Sequence, residues 1–177
     1  MNKLYLSLTI CLAIASSSFA ADQSTLDPHL EPLRPLFDKT FKGEGAAPNS
    51  DKTHSDVSHW ERALNGKAVR ILHSINDGAY GGECIVRWDQ EKQAVCYYYF
   101  TTDVFRTEGT MSFQEGKILT HELVKGNGEG ISEVRGTIEM RSDGAYLQKS
   151  EYFKDGKWTP GREILYRPDR GARVVFK

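Results

Sequence analysis

A rhythm of hairpin-turn signals constrains this chain most. Asn65-Gly66, Asp77-Gly78, Asp89-Gln90, Glu115-Gly116, Asn127-Gly128, Asp143-Gly144 and Asp155-Gly156 recur, mostly about twelve residues apart. Asn-Gly and Asp-Gly corners supply the positive φ angles that two-residue hairpins need. The stretches between them are rich in Val, Ile, Tyr, Phe, Trp and Thr, which suit a pleated, half-buried surface. This pattern predicts an all-β fold, a single antiparallel meander β-barrel of about eight to ten strands. Ahead of it, Leu26, Leu30, Leu33 and Phe37 repeat at helical spacing, while Pro28, Pro32 and Pro35 keep any helix short. Residues 24–38 therefore read as a short helical cap across one end of the barrel. Residues 47–60 are polar and read as a loop.

Turn positions also set register. With Asp77-Gly78 at a corner, Ile75 opposes Tyr80, His73 opposes Gly82, Ile71 opposes Cys84 and Val69 opposes Val86. With a corner at Asp89-Gln90-Glu91, Cys84 opposes Cys96, Gly82 opposes Tyr98 and Tyr80 opposes Phe100. Opposed cysteines in an exported chain allow a Cys84–Cys96 disulfide; two buried free thiols are the alternative. A two-residue corner at Asp143-Gly144 sets Ile138 against Lys149 and Gly136 against Glu151. One at Asp155-Gly156 sets Phe153 against Trp158 and Lys149 against Arg162.

These registers gather Val134, Ile138, Met140, Leu147, Phe153, Trp158, Ile164 and Tyr166 on an apolar face, with Lys149, Glu151 and Arg162 in its middle. Charges on such a face are either paired internally or hold a ligand. Arg presents a planar fork to a carboxylate, and the surplus positive charge favours an anionic head group. Trp88, Phe100, Met140, Trp158 and Tyr166 would wall the cavity. His73 faces Gly82, where the missing side chain leaves room for an imidazole and the Tyr98 phenol. Tyr97 and Tyr99 then lie on the outer face, either as a partner surface or packed under a neighbouring segment.

The first residues belong to targeting rather than to the fold. Lys3 precedes an apolar run from Leu4 to Ala15, and Ser18-Phe19-Ala20 offers small residues to a signal peptidase. Cleavage after Ala20 gives residues 1–20 as signal peptide, 21–38 as a cap segment and 39–177 as the barrel. Localisation is then periplasmic or secreted, with no integral membrane span in the mature chain. An outer-membrane barrel would need a continuous apolar outer band, but Arg70, Glu83, Arg87, Arg135 and Glu139 interrupt the outer faces.

Lys plus Arg total 23 against 24 Asp plus Glu, so nothing marks a nucleic-acid footprint. His54 and His59 with Asp51 and Asp56 fit no standard zinc spacing, and no metal or other cofactor is expected. No nucleophile elbow, metalloprotease helix or phosphate loop is present in the sequence. No catalytic residue is therefore assigned. Enzymatic use of His73 or of the inward charges stays open.

Four stretches resemble small exported bacterial proteins with a lipocalin-like (calycin) β-barrel. They are the Leu-Pro-rich lead Leu30–Leu36, the first strand Thr40-Phe41-Lys42-Gly43-Glu44-Gly45, and the aromatic Tyr97-Tyr98-Tyr99-Phe100 with the final strand from Trp158 to Arg167. The resemblance implies a closed barrel with an internal ligand cavity, the place of the lipocalin Gly-x-Trp taken by Lys39 and Phe41, and Arg167 as the late Arg packed there. Two functions compete. One is a binding barrel for a small apolar or amphipathic molecule with an anionic head. The other is a non-catalytic interaction barrel that docks a partner by the Tyr97–Tyr99 face.

Overall fold

The computed structural model describes residues 25–46 and 53–177; the expected signal peptide lies outside them. Ten strands follow in order: β1 (Lys39–Ala46), β2 (Thr53–Ala63), β3 (Ala68–Ile75), β4 (Tyr80–Asp89), β5 (Ala94–Thr101), β6 (Arg106–Gln114), β7 (Lys117–Lys125), β8 (Glu133–Met140), β9 (Tyr146–Lys154) and β10 (Lys157–Pro168). Each pairs antiparallel with its sequence neighbour, and β1 pairs with β10 to close the barrel. The meander needs no crossover, and closure removes exposed sheet edges. No helix among the described residues is long and apolar enough to cross a membrane.

One end is sealed by a 3₁₀ helix, Pro28–Leu36. Asp27 caps it by accepting the His29 backbone N–H at 3.1 Å. Its inward residues are Leu30, Leu33 and Leu36, spaced at three residues per turn and fully buried. The expected helical stripe ended on Phe37; the tighter 3₁₀ winding puts Leu36 inward instead. His29 stacks on Trp88 at 3.7 Å, tying the cap to β4.

Three corners keep a two-residue-hairpin register, two of them across two residues and the one between Ile75 and Tyr80 across four. Ile75 opposes Tyr80, Gln114 opposes Lys117, and Lys154 opposes Lys157. Asp77-Gly78, Glu115-Gly116 and Asp155-Gly156 all have positive φ, as a type I′ turn requires. The expected β3–β4 register therefore holds throughout.

Two other corners are longer than expected, and each moves side chains to the opposite face. Asp89 pairs with Ala94 across a four-residue connection, and the Asp89 side chain accepts the Glu91 and Lys92 N–H groups. Cys84 consequently opposes Tyr99 and Cys96 opposes Arg87. The two cysteines lie on opposite faces as free, buried thiols, and the disulfide reading is corrected. Met140 pairs with Tyr146 around Ser142-Asp143-Gly144, a three-residue loop with Gly144 at φ 81°. This slip of one residue turns Lys149 and Glu151 outward. Residues 53–60, expected in a loop, belong to β2. Their inward residues His54, Asp56 and Ser58 are polar, so the strand alternation carried no hydrophobic signal.

The interior is filled unevenly. Near the cap, Trp60, Val69, Val86, Val95, Met111, Ile118 and Ile138 form the core with the three leucines. At the closure, Phe41 meets Tyr146 edge-on at 4.9 Å, and Tyr146 stacks on Tyr166 at 4.6 Å. Each such side chain stabilises by about 1.5–3 kcal/mol on burial. Phe41 is fully buried, but Arg167 is not its cover: it pairs with Asp143 on the surface. Toward the other end the inward side chains become polar.

Candidate functional site

Inward-facing glycines make space for inward-facing tyrosines. A Cβ on Gly82 would sit 2.5 Å from the Tyr99 ring, and one on Gly109 would sit 2.8 Å from the Tyr97 ring. A Cβ on Gly43 would sit 3.0 Å from the Tyr166 ring. The phenols therefore lie across the lumen and deliver their hydroxyls to its polar half.

A hydrogen-bonded chain runs through that half. His73 Nδ1 meets Asp56 Oδ1 at 3.2 Å, and His73 Nε2 meets the Tyr99 hydroxyl at 2.5 Å. Tyr99 donates to the Tyr80 hydroxyl at 3.1 Å, and Tyr166 donates to Asp56 Oδ2 at 3.0 Å. Asp56 is 2% exposed, so these partners offset the cost of a buried carboxylate. Beside the chain, Ser58 and Tyr146 share a bond of 2.8 Å. Further round the lumen, Thr107 donates to Glu122.

Arg162 reaches the lumen through a bulge. Pro160 pairs with Glu151 and Glu163 with Lys149, so Gly161 and Arg162 together oppose Ser150. Ser150 Oγ accepts the Arg162 N–H at 2.8 Å. Bulges of this kind re-aim side chains next to functional sites. Trp158 and Pro160 point outward, whereas Arg162, Ile164 and Tyr166 point inward. No described residue forms a hydrogen bond or ion pair with the Arg162 guanidinium.

Burial pushes the Tyr80, Tyr99 and Tyr166 phenols above the ordinary range, and the positive charge of Arg162 draws all three partly back. Arg162 thus acts electrostatically on the chain's phenols. Burial likewise raises the Glu122 carboxyl, against hydrogen bonds from Thr107 and Tyr97. Cys84 is pushed up by burial and is a poor nucleophile.

Of the residues expected to line a ligand site, His73, Arg162, Tyr166, Met140 and Trp88 face inward. Tyr98 and Phe100 face outward, and Phe100 is 54% exposed. Lys149 and Glu151 also face outward, in ion pairs with Glu163 and Arg135. Trp158 packs on the outer surface beneath the Arg135 guanidinium, 4.3 Å from its ring centre. These outer groups border an open cavity of about 690 Å³ over β7–β10 that also reaches Ser150 and Arg162. Tyr97 and Tyr99 face the lumen, Tyr97 being 5% exposed, so they form no docking surface. Asp56, Tyr99 and Glu122 were not expected as site residues. The longer β4–β5 connection hid Tyr99, and polar neighbours hid Asp56. Among the described residues no cluster has the make-up of a metal site.

No protein-family model and no curated protein matches the chain. Among solved structures it is similar to Rv2717c from M. tuberculosis, with a TM-score of 0.62 and 12% identity. The likeness covers 82% of this chain and 100% of that one, and it shows the shared barrel fold.

Proposed function

We propose that the protein is an exported binding barrel for a small amphipathic molecule whose anionic head meets Arg162. The observation that carries this reading is the inward guanidinium with no partner among the described residues, set beside buried phenols. The Arg162 guanidinium is partly buried and has no carboxylate among the described residues to hold it, so its fork is free to take a planar anion. Apolar walls at the capped end and a few convergent polar groups beyond them are the make-up of a small-molecule site. The lipocalin-like resemblance and the ten-stranded closed meander support the same reading. Residues 1–20 serve as the signal peptide, which places the mature protein in the periplasm or outside the cell.

Native and denaturing mass spectra of the protein purified from the cell envelope test this. Extra mass in the native spectrum alone, lost in Arg162→Ala, is the expected result. Extra mass that survives Arg162→Ala overturns the assignment of the head-group site. A denaturing mass that retains residues 1–20 overturns export by cleavage.

A further inference from the structure

The chain Tyr80–Tyr99–His73–Asp56 can hold its protons in two ways. In the first, Tyr80 donates to Tyr99, Tyr99 donates to His73 Nε2, and Nδ1–H donates to Asp56; the imidazole is neutral. In the second, Nε2–H donates to Tyr99 and Tyr99 donates to Tyr80, as it does in the structure. Nδ1 still faces a carboxylate that only accepts. Both ring nitrogens then carry a proton, and the Tyr80 O–H is released to point elsewhere. One added proton thus reverses both phenols: Tyr80 turns from the donor to Tyr99 into its acceptor, and its own O–H becomes free to donate into the lumen.

Building on the binding reading above, we infer that the barrel takes up a carboxylate together with one proton, His73 receiving the proton and Tyr80 joining Arg162 on the anion. The groups around His73 support this. Among the described residues Asp56 on β2 is the one carboxylate bonded to it, and it is already held by Tyr166 of β10. Tyr99 on β5 bonds its other nitrogen and passes the chain to Tyr80 on β4; Arg162 on β10 acts through space on both phenols, and Glu122 on β7 and Asp103 act on Tyr80. A bound carboxylate supplies the negative charge that offsets an imidazolium in a lumen that already holds the Arg162 cation, so ligand and proton stabilise each other. No covalent bond is made or broken; the proton comes from solvent and returns there on release.

Decanoate is a suitable probe, because its carboxylate stays ionised above pH 6. Calorimetric titration at pH 7 in phosphate and in imidazole buffer counts the protons taken up. Uptake approaching one proton per decanoate is expected, with affinity falling by about tenfold or more from pH 6 to pH 8. Tyr99→Phe, which keeps the ring over Gly82, should abolish the uptake and leave Arg162-dependent binding. His73→Gln should do the same. Arg162-dependent binding with no proton uptake and equal affinity at both pH values overturns this inference and leaves the binding reading standing. No decanoate binding, or binding indifferent to Arg162→Ala, overturns the binding reading itself and this inference with it.

Discussion

Asp56 uses both carboxylate oxygens, one toward His73 and one from Tyr166. This makes it the anchor of the polar half of the lumen. Nothing in its sequence neighbourhood singled it out, because His54 and Ser58 on the same face are also polar. His73, by contrast, stood out beside a glycine on an apolar face, and the partner expected for it was a tyrosine. The partner is Tyr99 rather than Tyr98. Two residue-scale predictions follow from burial. The Glu122 carboxyl is raised in the fold, so its stabilising contribution is full below the unfolded carboxylate range and is lost as pH rises through the raised value. Glu122→Gln should therefore gain on the wild type at pH 8 relative to pH 4, read from urea midpoints at each pH; an unchanged difference would contradict it. The thiols of Cys84 and Cys96 should resist a thiol reagent in the native protein. Both should react in denaturant, with a denaturing mass that shows no loss of two hydrogens.

Register was legible at Asp77-Gly78 and next to Asp155-Gly156, where an Asp-Gly pair at positive φ fixes the corner. It was lost at Asp89–Ala94 and at Met140–Tyr146, where a capping aspartate builds a longer loop from the same residue types. A shift by an odd number of residues inverts a strand, which is why Lys149, Glu151, Tyr98 and Phe100 left the interior. In β10 the Gly161-Arg162 bulge inverts the alternation midway, so Trp158 and Arg162, both expected inside, part company. Two predictions belong to elements. A Cβ on Gly161 would stand 2.5 Å from Ser150 Oγ and 2.9 Å from the Tyr152 ring. Gly161→Ala should cost about 1–3 kcal/mol in denaturant unfolding, because a filled site must push its neighbours apart. In the cap, Leu33→Ala removes a fully buried side chain and should cost about 2–5 kcal/mol. A loss under about 0.5 kcal/mol would mean that the 3₁₀ segment does not seal the barrel.

At the scale of the molecule, the sequence specified a closed all-β meander through its turn rhythm, and the barrel closes as β1 meets β10. The lumen is amphipathic along its axis, apolar under the cap and polar beyond His73. A chain with 23 basic and 24 acidic residues carries its charge mainly on the outer face, with ion pairs there such as Arg70 with Glu61 and Lys117 with Glu139. Arg162 departs from that pattern, and the functional account rests on its inward aim. Decanoate affinity compared across wild type, Arg162→Ala and Lys149→Ala tests this most directly. A lost charge-assisted pair is worth about 1.5–3 kcal/mol, so Arg162→Ala should weaken binding by about tenfold or more. Lys149→Ala should leave it unchanged. The opposite result, with Lys149→Ala weakening binding and Arg162→Ala neutral, would place the ligand in the outer cavity over β7–β10 and contradict the luminal site.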